Sequence, residues 1–179
     1  RSFLKSSSII AGGLILPKLS FKSKENNRKK LKVAVVGCGG RGTGAAVQAL
    51  RADNNVELVT LADAFKDRLE TSLNAIKDEF EGEMEINIKE KNKFVGFDAY
   101  KKAIDKSDVV ILASPPGFRP AHFEYAINKN KHVFMEKPVA TDAHGVRQVL
   151  NSARKAKEKN LNVVVCLLYT SPSPRDPKS

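Results

Sequence analysis

Lys32-Val33-Ala34-Val35-Val36 runs directly into Gly37-Cys38-Gly39-Gly40-Arg41-Gly42, and Thr43 to Leu50 follows with small and apolar residues at helical spacing. The first five residues form the apolar, β-branched run expected of a strand covered on both faces. A strand that passes through a glycine corner into a helix restricts the chain to a small set of α/β folds. At G-x-G-x-x-G spacing each glycine has a mechanical task. Gly37 permits the tight turn, Gly39 lets the backbone approach a pyrophosphate, and Gly42 lets helix and strand pack closely. Free N–H groups at the helix start, at the positive end of its dipole, then face phosphate.

A glycine corner alone has low specificity, so its surroundings must decide. A second strand, Val56 to Ala62, ends in Asp63, 21 residues beyond Gly42. Dinucleotide folds place there the carboxylate that accepts from a ribose 2′-hydroxyl. The alternative is a glycine-rich turn in an unrelated α/β protein with a chance acid downstream. Strand, loop, helix, strand and acid in that order favour the cofactor reading. Asp63 favours NAD, since a 2′-phosphate would meet a carboxylate; NADP stays open because Lys66 and Arg68 follow closely.

Further along, Ala64 to Ile76 reads as a helix with Leu69, Leu73 and Ile76 on one face. Asp78 to Lys93 is densely charged around the alternation Glu85-Ile86-Asn87-Ile88 and reads as an exposed excursion, a hairpin or strand edge. Phe94 to Phe97 is expected to carry strand three, and Asp98 to Asp105 a short helix with Tyr100, Ala103 and Ile104 inward. Asp108 to Ala113 is a near-continuous apolar strand, and Ser114-Pro115-Pro116-Gly117 must be a loop because proline cannot continue a ladder. Pro120 suits the first turn of a helix burying Phe123, Ala126 and Ile127. His132 to Met135 is another strand. Thr141 or Asp142 caps a last helix with Val146, Val149, Leu150 and Ala153 on one stripe, and Val163 to Val165 reads as a buried strand. Such alternation calls for a Rossmann-type, doubly wound parallel sheet with helices on both faces. Ligands of such sheets lie beyond the carboxyl ends of the strands. The glycine corner, Asp63, Ser114-Pro115 and Glu136-Lys137-Pro138 all follow strands, hence share one rim.

The net charge of +11 invites a nucleic-acid partner, but its distribution argues against one. Residues 1–32 hold nine Lys/Arg against Glu25 alone, while residues 33–165 carry 20 basic and 18 acidic side chains. Basicity confined to a leader is a poor argument for a phosphate-backbone groove. The two cysteines, Cys38 and Cys166, give neither a disulfide framework nor metal spacing. Cys38 reads as a small residue of the turn, with a reactive thiol as the alternative.

Residues 1–30 read as a leader and linker. Arg1-Ser2-Phe3-Leu4-Lys5 ahead of the short apolar run Ile9 to Leu16 resembles a bacterial twin-arginine export signal lacking its first residues, which implies a periplasmic or exported protein. A disordered basic N-terminus, in a cytoplasmic protein, is the alternative. The apolar run is too short to span a membrane as a helix. From Cys166 to Ser179 the chain changes character abruptly and resembles a translated sequencing-library adapter, with a natural Ser/Pro-rich tail as the alternative, so residues 166–179 are set apart from the folded body at 31–165.

Gly37 to Gly42, Ala113-Ser114-Pro115-Pro116 and above all Lys131-His132-Val133-Phe134-Met135-Glu136-Lys137-Pro138 resemble the N-terminal domain of the Gfo/Idh/MocA family of glucose–fructose oxidoreductases and inositol 2-dehydrogenases. The resemblance spans about Leu31 to Val165. It implies hydride transfer between NAD(P) and a secondary alcohol or aldehyde carbon of a sugar, cyclitol or polyol. It also implies a C-terminal α/β domain, absent from these residues, that holds the substrate, brings the remaining acid–base groups and mediates homo-oligomers; the fragment alone is expected to be inactive. Lys137 would touch the reacting oxygen or the nicotinamide ribose and assist proton transfer. Glu136 would fix the ribose or that lysine, and Ser114 and Pro115 would line the nicotinamide side. His122 matches the family's histidine after the proline loop, with helix capping or packing as its other reading. Arg119 reads as a surface arginine or a phosphate contact, His132 as structural, and His144 gives no signal. A redox-assisted glycosidase using tightly held NAD and a non-catalytic nucleotide-binding protein are the competing functions.

Overall fold

Alternate residues of the first strand, β1 (Leu31–Val36), serve opposite layers: Val33 and Val35 join one apolar cluster, Ala34 and Val36 the other. A strand can be apolar at every position only when both faces are covered. The computed structural model describes residues 29–166; the export-like leader and the tail from residue 167 lie outside the described residues. After β1 come α1 (Gly40–Ala52), β2 (Val56–Asp63) and α2 (Lys66–Glu79), then β3 (Lys93–Val95), α3 (Ala99–Asp105) and β4 (Val109–Leu112). The chain continues through α4 (Arg119–Asn128), β5 (His132–Met135), α5 (Ala143–Glu158) and β6 (Val163–Val165). Among the described residues the six strands form one all-parallel sheet in the order β3-β2-β1-β4-β5-β6. Helices α1 and α2 cover one face and α3, α4 and α5 the other, with Leu69 and Phe123 among the fully buried side chains of the two layers. This is the doubly wound Rossmann arrangement that the alternation of elements predicts.

Three expectations need correction. The charged stretch after α2 is not an exposed hairpin or strand edge. Phe80, Ile86 and Ile88 are buried in the core cluster of α1 and α2, and only a short 3-10 turn, Glu90–Asn92, interrupts irregular chain before β3. The alternation at residues 85–88 does put both isoleucines on one side, but against the helical layer rather than in a ladder. In α5 the inward stripe is Gly145, Val149, Ser152 and Ala156, while Val146 and Leu150 are exposed. Close approach to α4 selects small residues: a Cβ on Gly145 would stand 3.0 Å from the Pro120 side chain. Last, β6 is not a buried strand, because it pairs only with β5 at the sheet edge and Val164 is exposed.

Asp142, rather than Thr141, caps α5, its carboxylate accepting the Gly145 N–H at 2.7 Å. That bond holds the Asp142 carboxyl below its ordinary range. Asp142→Ala is expected to lower the midpoint of a urea titration near neutral pH. An unchanged midpoint would show that the helix start is held by its packing alone. Among the described residues no helix is long and apolar enough to cross a membrane.

Candidate functional site

The carboxyl ends of β1, β2 and β4 converge on a cavity of about 490 Å³. At one end stands the glycine corner. Gly37 has φ +97°, and a Cβ there would lie 2.5 Å from the backbone nitrogen of Ser114, so the turn passes hard against the end of β4. A Cβ on Gly42 would overlap the Gly37 carbonyl oxygen, so helix and strand meet backbone to backbone. Gly39 is different: a Cβ would meet nothing within 4 Å. It is also one of the residues that line the cavity.

The amides of the corner divide into two sets. Gly37 donates to the Ala62 carbonyl at 2.8 Å, and Cys38 donates to Asp63 Oδ2 at 2.7 Å. The Cys38 amide is thus engaged within the fold and is not offered to a ligand. The first N–H groups of a helix have no partner within it, and no side chain caps α1, whose N-cap residue is Gly39. Donors from the Gly39–Arg41 stretch are left for something anionic. An uncapped helix start beside an open glycine fits a diphosphate in charge and in shape. The reactive-thiol alternative for Cys38 fails, since burial first and the Asp63 carboxylate second push that thiol up to about 12.

Asp63 ends β2 and lines the same cavity. Besides the Cys38 amide it accepts the Phe65 N–H on Oδ1 at 3.0 Å. Two backbone donors orient the carboxylate and leave each oxygen a further lone pair for a hydroxyl. Phe65, Phe97 and Phe118 stand exposed around the mouth, the last two with ring centroids 6.0 Å apart, and Arg68 lies on the same wall. The deeper wall is Ser114, with Pro115 beside it, and His122. Ser114 Oγ and His122 Nδ1 share a hydrogen bond of 3.0 Å, and Tyr100 stacks on the imidazole at 4.0 Å. Burial, with the Arg119 charge adding to it, pushes His122 down to about 4, so the ring is neutral near neutral pH. His132 takes the structural role expected, its Nδ1 accepting the Asn162 N–H at 2.9 Å.

Beyond β5 the rim carries Glu136, buried, and Lys137, exposed and joined to Pro138 by a cis peptide bond. Glu136 does not hold Lys137. Its Oε1 accepts from Arg41 at 2.8 Å, tying the glycine corner to the loop after β5. The lining of the cavity takes in Asp63, Ser114 and Pro115 but neither Glu136 nor Lys137, which stand beside it on the same edge of the sheet. Arg119 is not a surface arginine: it is 3% exposed and donates to main-chain carbonyls of two loops. The sequence carried a signal for this, because a cation in the first turn of a helix opposes the dipole and needs another reason to be there. The aromatic mouth had a signal too, since Phe65 and Phe97 stand just beyond β2 and β3 as Asp63 and Ser114 stand at β2 and β4.

The order of the sheet reverses between β1 and β4, and the cavity opens where it does. Parallel α/β domains that bind dinucleotides place their cleft at that switch point, and this domain is of that class. The model of the Gfo/Idh/MocA family, described as an oxidoreductase family with an NAD-binding Rossmann fold, matches residues 31–164. The chain belongs to that family. Comparison with curated proteins gives no match. Among solved structures it is similar to scyllo-inositol dehydrogenase of Lactobacillus casei, solved with NAD(H) and scyllo-inositol: TM-score 0.58, 21% identity, over 76% of this chain and 36% of that one. Myo-inositol 2-dehydrogenase of Lactobacillus plantarum gives TM-score 0.57 and 25% identity over 77% and 36%. Biliverdin reductase of a Synechocystis species, solved with biliverdin and NADP+, gives 0.55 and 20% over 75% and 37%. The chain therefore spans little more than a third of the length of these proteins.

Proposed function

We propose that this chain is the nucleotide-binding part of an NAD(P)-dependent oxidoreductase acting on a secondary alcohol or aldehyde carbon of a sugar, cyclitol or polyol. The observation that carries it is the uncapped start of α1 beside open Gly39, in a cavity that Asp63 also lines. When bound, the cofactor would supply hydride acceptance and donation at its nicotinamide. The amides of Gly39, Gly40 and Arg41 would hold the diphosphate, and Asp63 would accept from the adenosine ribose. Ser114 and Pro115 would wall the nicotinamide side and exclude water. Lys137, on the rim after β5, would hold the reacting oxygen and carry a proton to or from it. Cyclitol substrates of the solved relatives support the substrate class, and the remaining groups would come from a substrate domain.

We infer NAD over NADP. The Asp63 carboxylate occupies the wall where an added 2′-phosphate would stand, and like charges there are costly. Arg68 on the same wall offers only partial relief from an exposed position. Titration of this chain with NADH and NADPH, read by nucleotide fluorescence, tests both statements. NADH should bind more tightly, and Asp63→Asn should narrow the preference by about tenfold or more. Absence of binding by either nucleotide would refute the functional reading; binding with no preference would refute only the choice of NAD.

A further inference from the structure

We propose that Arg119 is a positioning residue for Lys137: its buried guanidinium ties the loop after β4 to the loop after β5 and thereby sets where the Lys137 amine stands. The proposal rests on the reading of the cleft as a dinucleotide site, with Lys137 at the nicotinamide ribose or the reacting oxygen.

Arg119 is an expensive residue to keep. It opens α4, where the helix dipole disfavours a cation, and it is 3% exposed. Burying a charge is costly unless its donors are satisfied. Yet its Nε is buried without a partner. An apolar side chain of similar volume would fill the same space without those penalties, so packing does not account for the choice.

Its hydrogen bonds do. Nη1 donates to the Glu136 carbonyl at 2.6 Å and also to the Pro138 carbonyl, and Nη2 donates to the Ser114 carbonyl. The carbonyls of Glu136 and Pro138 flank Lys137, so one nitrogen pins the main chain on both sides of that residue. The other nitrogen refers the same loop to the end of β4. A guanidinium can do this because its donors form a rigid planar fork. Lysine has a long, flexible stem, so the placement of its amine depends on how firmly its own backbone is held. From the opposite side Arg41 grips the Glu136 carboxylate at 2.8 Å. Arg119 acts on the backbone of that loop and Arg41 on its side chain; neither duplicates the other.

The test uses the chain as it stands, with periodate-oxidised NAD as the probe and borohydride trapping. The dialdehyde stands on a ribose, and the lysine it labels is identified by peptide mass spectrometry. NADH affinity is measured in parallel. In the wild-type chain Lys137 should be the dominant site of labelling. In Arg119→Met the labelling rate should fall by about tenfold or more, because a displacement of roughly an ångström suffices for that. Arg119 also lines the cavity, so the NADH Kd is expected to rise somewhat, but by clearly less than the labelling rate falls, since the diphosphate and adenosine contacts lie on other loops. Arg119→Lys keeps the charge without the fork, and its labelling rate should lie between the two.

Unchanged labelling in Arg119→Met overturns the proposal. So does a fall that merely follows weakened NADH binding, the signature of a general structural role. If Arg119→Met does not fold, Arg119→Lys decides, and wild-type labelling in that variant is fatal. NADH binding without any Lys137 labelling in the wild-type chain also overturns the proposal, while leaving the dinucleotide site intact. A wild-type chain that binds no NADH removes the functional reading and this inference with it.

Discussion

Gly42→Ala is expected to destabilise the chain by roughly 3 kcal/mol or more, while Gly39→Ala changes stability by no more than about 1 kcal/mol and abolishes nucleotide binding. The two glycines are three residues apart and face opposite demands. At Gly42 the added methyl overlaps the Gly37 carbonyl oxygen, which is backbone and cannot step aside without moving β1 against α1. Gly37 in turn cannot retreat, being held at φ +97° against the end of β4. At Gly39 the methyl meets nothing in the protein and intrudes only on the space assigned to the diphosphate. Urea midpoints and NADH titrations of both variants separate stability from binding. A Gly39→Ala chain that binds NADH as the wild type does would show that no phosphate rests on the corner.

Acid should weaken the fold through one histidine. The unfolded chain protonates His122 near 6.5, whereas the folded chain resists until about 4 because the imidazolium would be buried beside Arg119. Between those values the unfolded state binds more protons, so stability falls as the pH drops through that window and levels off below it. From about pH 7.5 to about pH 5 the loss amounts to about 2 kcal/mol. The carboxyls held low by partners, Glu90, Asp98 and Asp142, contribute stability that disappears only at lower pH still. Denaturant titrations at the two pH values should show the difference in the wild type and a nearly flat response in His122→Gln. An equal slope in both would assign the acid sensitivity elsewhere.

The parts of this molecule legible in its sequence are those where backbone geometry dictates residue type. A strand covered on both faces has to be apolar throughout, as Val33 to Val36 are. A corner that touches the next strand end has to be glycine, as Gly37 is, and Asp63 stands at the end of β2, where the pattern of the fold puts an acid. Less visible were features set by partners distant in sequence. Arg119 is buried because carbonyls of two separate loops surround it; its place in the first turn of a helix says that something holds it, but nothing in Gly117-Phe118-Arg119-Pro120 says which loops do. In α5 the larger residues Val146 and Leu150 suggested the wrong face, since contact with α4 is made through small side chains that hydropathy undervalues. Ile86 and Ile88 were masked by their charged neighbours, although two isoleucines two apart are enough to anchor irregular chain to a core. The candidate site divides the same way. Its glycines, acid and Glu-Lys-Pro segment could be read, whereas the Arg41–Glu136 and Ser114–His122 pairs depend on which strand ends the sheet places together.

Gly42 resting on Gly37 has a kinetic consequence. With backbone against backbone, α1 has no slack to tilt or slide, so the donors at its start form a fixed platform. On the proposed function, release of a nucleotide would not come from that helix swinging away. If a nucleotide binds as proposed, its residence time would then depend on the segments carrying Phe65, Phe97 and Phe118, which line the cavity, rather than on motion of that helix.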